Sequence, residues 1–242
     1  MTDKIPAILA WSGGKDSAYA LHQLVKDKKY DVVYLLSTIN GNNGRLSMHG
    51  IREDLMEAQA AAIGIPLLKV YVYEGNNMEY EKQMKEVLLK VKADGIYTVA
   101  FGDIFLEDLR IYRENQLKQV GMECLFPLWK RDTLQLVHQF IDEGFKAYTC
   151  CINDEYLDEG FCGRLVNRAF VKELPAPVDP CGENGEFHSF CFDGPVFGEA
   201  LSVGTGKKIY KPVPSDSGNR QEPDMAGTLG FWYCDLELQQ NK

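Results

Sequence analysis

Six residues near the amino end constrain the fold more than any other part of the chain: Ser12-Gly13-Gly14-Lys15-Asp16-Ser17. They follow a short apolar run from Ile5 to Trp11 and precede helical spacing at Ala18, Leu21, Leu24 and Val25. A strand, a glycine turn and a helix N-terminus in this order make an anion cradle, because first-turn N–H groups have no intrahelical partner and the helix dipole favours negative charge. Gly13 and Gly14 let the backbone approach phosphate oxygens without a Cβ in the way. Lys15 adds a point charge, and Ser12 and Ser17 add hydroxyl donors. Asp16 cannot itself favour phosphate; it is expected to cap the helix or to meet a magnesium ion. The ordinary P-loop pattern is absent, since Leu9 stands where its first glycine belongs and Asp16 follows the lysine. The plain alternative is a tight strand-to-helix turn without a ligand.

Beyond the loop, strand-like runs alternate with amphipathic segments as far as residue 153. The strand candidates are Ala7–Trp11, Asp31–Ile39, Leu67–Tyr73, Ile96–Phe101, Glu123–Leu128 and Ala147–Ile152. Between them, apolar stripes at three- and four-residue spacing predict helices over Ile51–Ile63, Tyr80–Lys92, Leu106–Val120 and Thr133–Glu143. The first carries Ile51, Leu55, Ala58 and Ala62 on one face. Such alternation predicts an α/β fold with a doubly wound parallel sheet, whose ligands sit at the carboxyl ends of the strands. Ser37 and Thr38 after the second strand, and Gly102 and Asp103 after the fourth, become binding candidates by position. Most of the prolines lie beyond Leu174 and helical spacing fades. We therefore expect a nucleotide-type domain over residues 1–153 and a smaller C-terminal α+β module over 154–242, with short strands at Phe187–Phe192 and Thr228–Leu236. Residues 213–226 read as an exposed loop.

Bulk properties exclude some classes. The formal charge of −9 over 242 residues argues against a nucleic-acid partner, and no run approaches membrane-spanning length. A short apolar run leads directly into the glycine loop, so no signal peptide is expected and the expected compartment is the cytoplasm. Seven cysteines, with no Cys-x-x-Cys spacing, do not suggest a disulfide framework. Buried reduced thiols, or a metal site drawn from Cys150, Cys151, Cys162, Cys181 and His188, both remain open.

A second constellation lies at residues 179–195. Gly182, Gly185 and Gly194 mark tight backbone, and Glu183, Glu186, His188 and Asp193 crowd titratable groups around it. By composition this is either a surface hairpin or part of a site. His49, ahead of the Ile51 helix, either lines a cleft or is a plain loop histidine.

The Ser12–Ser17 pattern resembles the pyrophosphate loop of the N-type ATP pyrophosphatases. Paired with Gly182-Glu183-Asn184-Gly185-Glu186-Phe187-His188-Ser189, it resembles the diphthine–ammonia ligase (diphthamide synthetase) family in its short single-unit form. Gly102-Asp103-Ile104, Arg110, Arg113-Glu114, Pro127-Leu128-Trp129 and Gly163-Arg164 agree with that family's intermediate motifs. One departure stands out: the eukaryotic members close the second motif with Glu-Thr or Glu-Ser, and this chain has His188-Ser189.

The resemblance implies a sheet of the adenine-nucleotide alpha-hydrolase (HUP) type and an AMP-forming ligase. A carboxylate attacks the α-phosphate of ATP, pyrophosphate leaves, and ammonia displaces AMP from the acyl-adenylate. Lys15, Glu183, Glu186 and His188 are the implied catalytic set. Ser12, Gly13, Gly14, Lys15, Asp16, Ser17, Ser37, Thr38, Gly102 and Asp103 would hold the nucleotide. Arg110, Arg113, Asn184 and Ser189 would face the acceptor, and Asp16 and Asp103 the Mg²⁺. The implied partners are ATP, ammonia and, in an archaeal or eukaryotic source, elongation factor 2 carrying diphthine; a homo-oligomer is compatible. Cys181 near His188 raises a thiol nucleophile, but no glutaminase signature surrounds it, so free ammonia is expected. Two other readings stay open: the same adenylation on a small-molecule acid or tRNA base, and an ATP-binding sensor without turnover.

Overall fold

The structure is a computed structural model that describes residues 4–73, 77–213 and 229–239, with the backbone alone at 77–79. The loop expected at 213–226 falls almost wholly outside the described residues.

The first sheet holds β1 (Ile5–Ala10), β2 (Tyr30–Asn40), β3 (Arg45–Leu46), β4 (Leu67–Val72), β5 (Thr98–Ala100) and β6 (Glu123–Leu125). Its order is β3-β2-β1-β5-β6, with β4 also on β2; every pair is parallel except β2–β3. The chain winds outward from β1 through β2 to β4, then crosses back to lay β5 and β6 on the other side. That reversal opens a crevice beyond the ends of β1 and β5, where α/β sheets bind ligands.

Helices cover both faces. On one face α1 (Lys15–Asp27) and α2 (Glu53–Ile63) pack with α5 (Thr133–Asp142) through Leu21, Leu24, Leu55, Met56 and Phe140. On the other, α3 (Asn77–Ala93) and α4 (Glu107–Gln119) enclose Ile8, Leu88, Val91, Val99, Leu117 and Val120. Each large apolar side chain buried in this way contributes roughly 1.5–3 kcal/mol. The result is the doubly wound α/β architecture of the HUP type.

The second sheet is antiparallel, in the order β8 (Phe187–Asp193), β7 (Lys146–Asn153), β10 (Gly230–Leu238), β9 (Val203–Pro212). Here one strand expectation is corrected. The run Ala147–Ile152 does not extend the parallel sheet; as β7 it pairs with β8 and β10. Both of its sides are covered, so it reads as a continuous apolar run that suits either sheet. The short α6 (Arg168–Glu173) starts at Asn167, whose side chain accepts from Phe170 N–H. Gly163-Arg164 lies ahead of this helix.

The two sheets meet at the phosphate loop. Cys191 N–H on β8 donates to the Gly13 carbonyl at 2.8 Å. The buried Gln59 of α2 donates to both the Gly13 and Cys191 carbonyls, at 2.9 and 2.5 Å, and accepts from Trp11 Nε1 at 2.7 Å. A single amide side chain thus clamps β1, the loop and β8.

Candidate active site

The loop leaves β1 at Trp11 and enters α1 at Lys15. Gly13 has φ +71°, and a Cβ there would stand 2.9 Å from both Met56 Sδ and Gln59 Oε1. Gly14 is the N-cap of α1, and a Cβ there would stand 3.0 Å from the Ser189 carbonyl oxygen. No side chain caps this helix. Instead Lys15 N–H donates to Ser189 Oγ at 3.1 Å, and Gly14 N–H to Ser12 Oγ at 3.3 Å. Ser12 Oγ donates to Ser17 Oγ at 3.2 Å, and Ser17 Oγ to the Gly14 carbonyl at 3.0 Å. Hydroxyls thus ring the helix entrance.

Lys15 is 3% exposed. Its Nζ donates to both Asp16 oxygens, at 2.9 and 2.7 Å, and to the Cys181 carbonyl of the C-terminal turn. Burial opposes its charge, but Asp16, Cys181 and Glu183 outweigh burial and raise its pKa. The lysine is a fixed cation. Asp16 does not cap α1, because Gly14 holds that position and the Asp16 carboxylate turns to Lys15.

The C-terminal turn reaches the same point from the other sheet. Glu183 accepts from Ile104 N–H at 2.7 Å and Phe105 N–H at 3.4 Å, tying the turn to the loop after β5. Burial raises its pKa to about 7, against the lowering effect of the Ile104 N–H. Glu186 behaves otherwise. It is 1% exposed and accepts from Asp179 N–H, Asn184 N–H and Asn184 Nδ2, at 2.9–3.0 Å. It holds the turn from within.

One cavity of about 450 Å³ brings the two motifs together. Ser12, Gly14, Lys15, Asp16, Ser17, Thr38, Gly102, Asp103, Arg113, Glu183, His188 and Ser189 all line it. A second cavity of about 540 Å³ between α3 and α4 shares Ala10, Leu36, Thr38, Phe101 and Arg113 with the first. Five sequence candidates are not on the first wall. Gly13 lies behind the loop, Ser37 is buried with its hydroxyl on the Trp11 carbonyl at 2.6 Å, and Asn184 and Glu186 serve the turn. Arg110 stacks over Trp129 and Phe126 and pairs with Glu114 at 2.7 Å.

Sequence reasoning missed Gln59 altogether. Its signal was a lone amide within an alanine-rich helix, one position from the predicted stripe. Of the expected stripe, Leu55 is buried on α2 and Ile51 is buried just ahead of it, but Ala58 and Ala62 are only half-buried, and Met56, Gln59 and Ala60 complete the buried face.

Magnesium was expected at Asp16 and Asp103. Both line the cavity, but the Asp16 oxygens hold Lys15, and those of Asp103 take Arg113 Nε at 2.5 Å and Nη2 at 3.1 Å. Among the described residues no group of three or more His, Cys, Asp or Glu side chains is arranged around a metal position. As they stand, these residues do not fit a magnesium cage. Burial also raises the thiol pKa values of Cys150, Cys151, Cys162, Cys181 and Cys191, so these sulfurs are not thiolates near neutrality. Among the described residues no helix is long and apolar enough to cross a membrane.

Fold and cavity together define a HUP-type α/β protein whose anion loop is closed by a second glycine turn. Comparison with known proteins carries this further. The family model described as the diphthamide synthase N-terminal domain matches residues 5–124, and that of the diphthamide synthase C-terminal domain matches 132–215. The chain belongs to the diphthamide synthase family, a family of carbon–nitrogen ligases. Proteins named diphthine–ammonia ligase from Rattus norvegicus and Homo sapiens are each 25% identical to it, over 224 and 225 residues, with 82% of both chains covered. The namesake from Schizosaccharomyces pombe is 23% identical over 221 residues, 83% of this chain but 36% of that protein.

Proposed function

We propose that this chain amidates a carboxylate with ammonia at the expense of ATP, through an acyl-adenylate, and that the acceptor is diphthine on elongation factor 2. The carrying observation is that the Ser12–Ser17 loop and the Gly182–Ser189 turn line one cavity. The names of the relatives supply the acceptor and the amine.

In this reading residues 1–153 hold the nucleotide and 154–242 face the acceptor. The acceptor oxygen attacks the α-phosphorus, the bond to the β-phosphate oxygen breaks, and pyrophosphate departs. Charge that builds on the pyrophosphate meets Lys15, the Ser12 and Ser17 hydroxyls and the loop N–H groups. The adenine lies toward Thr38 and the α3–α4 cavity, and the ribose toward Gly102 and Asp103.

Ammonia then attacks the acyl carbon, and the carbon–oxygen bond to AMP breaks. The nitrogen must lose a proton for each amide formed. Glu183, raised to about 7 by burial, is tuned to accept it near neutral pH. Arg113 lines the same cavity and supplies charge for the acceptor carboxylate.

The test is incorporation of ¹⁵N-ammonium into elongation factor 2 that carries diphthine. The reading predicts one new amide nitrogen per acceptor, dependent on ATP. ATP cleavage to AMP with no labelled amide would move the acceptor to a small acid or tRNA base. Binding without cleavage would make the chain a sensor.

A further inference from the structure

One wall of the phosphate cavity is left unused by the amidation reading. His49, on the loop between β3 and α2, faces His188 of β8 with ring centroids 4.4 Å apart and planes at 37°. Both line the cavity that holds Ser12, Gly14, Lys15 and Ser17. His188 is the chain neighbour of Ser189, whose hydroxyl accepts from Lys15 N–H. The two imidazoles therefore stand beside the helix entrance.

The loop is built to hold His49 there. Met48 has φ +65°, a left-handed conformation that is strained for a non-glycine residue. Gly50 has φ +69°, and a Cβ there would stand 2.6 Å from the Tyr233 ring. Arg45, paired with Asp235 at 2.9 Å, donates to the Gly50 carbonyl at 2.7 Å. The loop is thereby fastened to the second sheet from behind.

Neither imidazole has a carboxylate partner among the described residues, where His22–Glu143 is the one such pair. His49 Nδ1 lies 3.4 Å from the Ser47 carbonyl. Charged groups that share the cavity are Lys15 and Asp16 from α1, Glu183 from the turn, and the Asp103–Arg113 pair from the β5–α4 side. Burial, with Lys15 adding to it, holds His188 down at about 4. Burial, His188 and Lys15 hold His49 well below its ordinary range. In the free protein the pair is neutral. A polyanion on the loop would reverse the local field, and an imidazole near such an anion gains a proton readily.

We propose that His49 and His188 form a second cationic arm of the phosphate site, taking up a proton as the pyrophosphate portion of the nucleotide binds. The proton comes from buffer as the anion enters and returns to buffer as it leaves, and no covalent bond changes. The identity of the anion rests on the amidation reading.

The test is calorimetric titration of the full chain with inorganic pyrophosphate, in buffers of different ionisation heat. Wild type is expected to take up about one proton more per site than the His49→Gln/His188→Gln variant. That variant should bind about tenfold more weakly near pH 6.5, with the gap closing by about pH 9, where neither imidazole is charged. His49→Gln alone, changed outside both sheets, carries the same comparison if the β8 change disturbs folding. Equal proton uptake, or an affinity gap that is the same at both pH values, overturns the proposal. Absence of pyrophosphate binding by wild type would overturn the phosphate-loop reading itself.

Discussion

The chain contains two glycine-rich turns of similar composition and opposite construction. Around Gly13 and Gly14 the acceptors are the Ser12 and Ser189 hydroxyls, which take the Gly14 and Lys15 N–H groups, while the one carboxylate, Asp16, pairs with the Lys15 side chain. Around Gly182 and Gly185 carboxylates occupy the local donors: Asp179 accepts from Cys181 and Glu183 N–H groups, and Glu186 from Asp179 and Asn184. The first turn meets the cavity through its hydroxyls and Lys15. The second is closed on itself by its acids, with Glu183 reaching the β5–α4 loop and the Cys181 carbonyl taking the Lys15 side chain. A glycine turn held by rotatable hydroxyls thus stays adaptable, and one whose own acids satisfy its donors is scaffolding.

Substitution separates the two. The largest effect is expected from Lys15→Ala, which removes the fixed cation that the proposed reaction sets against the departing pyrophosphate. AMP formation should fall by about 10²–10³-fold, the usual loss when one oxyanion donor is removed. Steady-state kinetics with a folded variant checks this, and rates within a few-fold of wild type would break the contrast.

Glu186→Ala comes next and acts on the fold. It strips acceptors from two backbone N–H groups and an amide, which should lower stability by about 3 kcal/mol in urea denaturation. Activity lost at undiminished stability would give Glu186 a chemical role instead.

The smallest effect is a pH slope. Glu183 has a folded pKa of about 7, raised above its ordinary 4.5 by burial. Between those values the folded state binds more protons than the unfolded one, so stability falls as pH rises. Glu183→Gln should flatten that decline, by about 2 kcal/mol or less after solvent screening. It should also remove the rise of activity through about pH 7 expected of a carboxylate that takes a proton from nitrogen. An unchanged pH–rate profile would assign the proton to another group.

The sequence made the loop and the winding of the first sheet legible, because a strand, two glycines and a helix start are contiguous and local. Contacts between distant segments were not. Nothing in the run Ala147–Ile152 says which sheet it joins, since periodicity records burial rather than partners. The strand Val203–Pro212 escaped because Gly204, Gly206, Lys207 and Lys208 weaken its apolar alternation, and most of it is exposed. The site was read in the same uneven way. Lys15, Glu183 and Ser189 were named from their motifs, and all three meet the cavity. Gln59 and the contact between His49 and His188 depend on chain crossings that no local pattern encodes. Glu186 was named for chemistry because a carboxylate on a glycine turn looks the same whether it faces a cavity or its own backbone.

The central claim is that the loop holds the two outer phosphates while the α–β bond of ATP is cut. The most direct measurement is ³¹P NMR of the products formed with acceptor and ammonium present. The account predicts AMP and pyrophosphate in equal amounts, both abolished together by Lys15→Ala. ADP and inorganic phosphate as the products would contradict it.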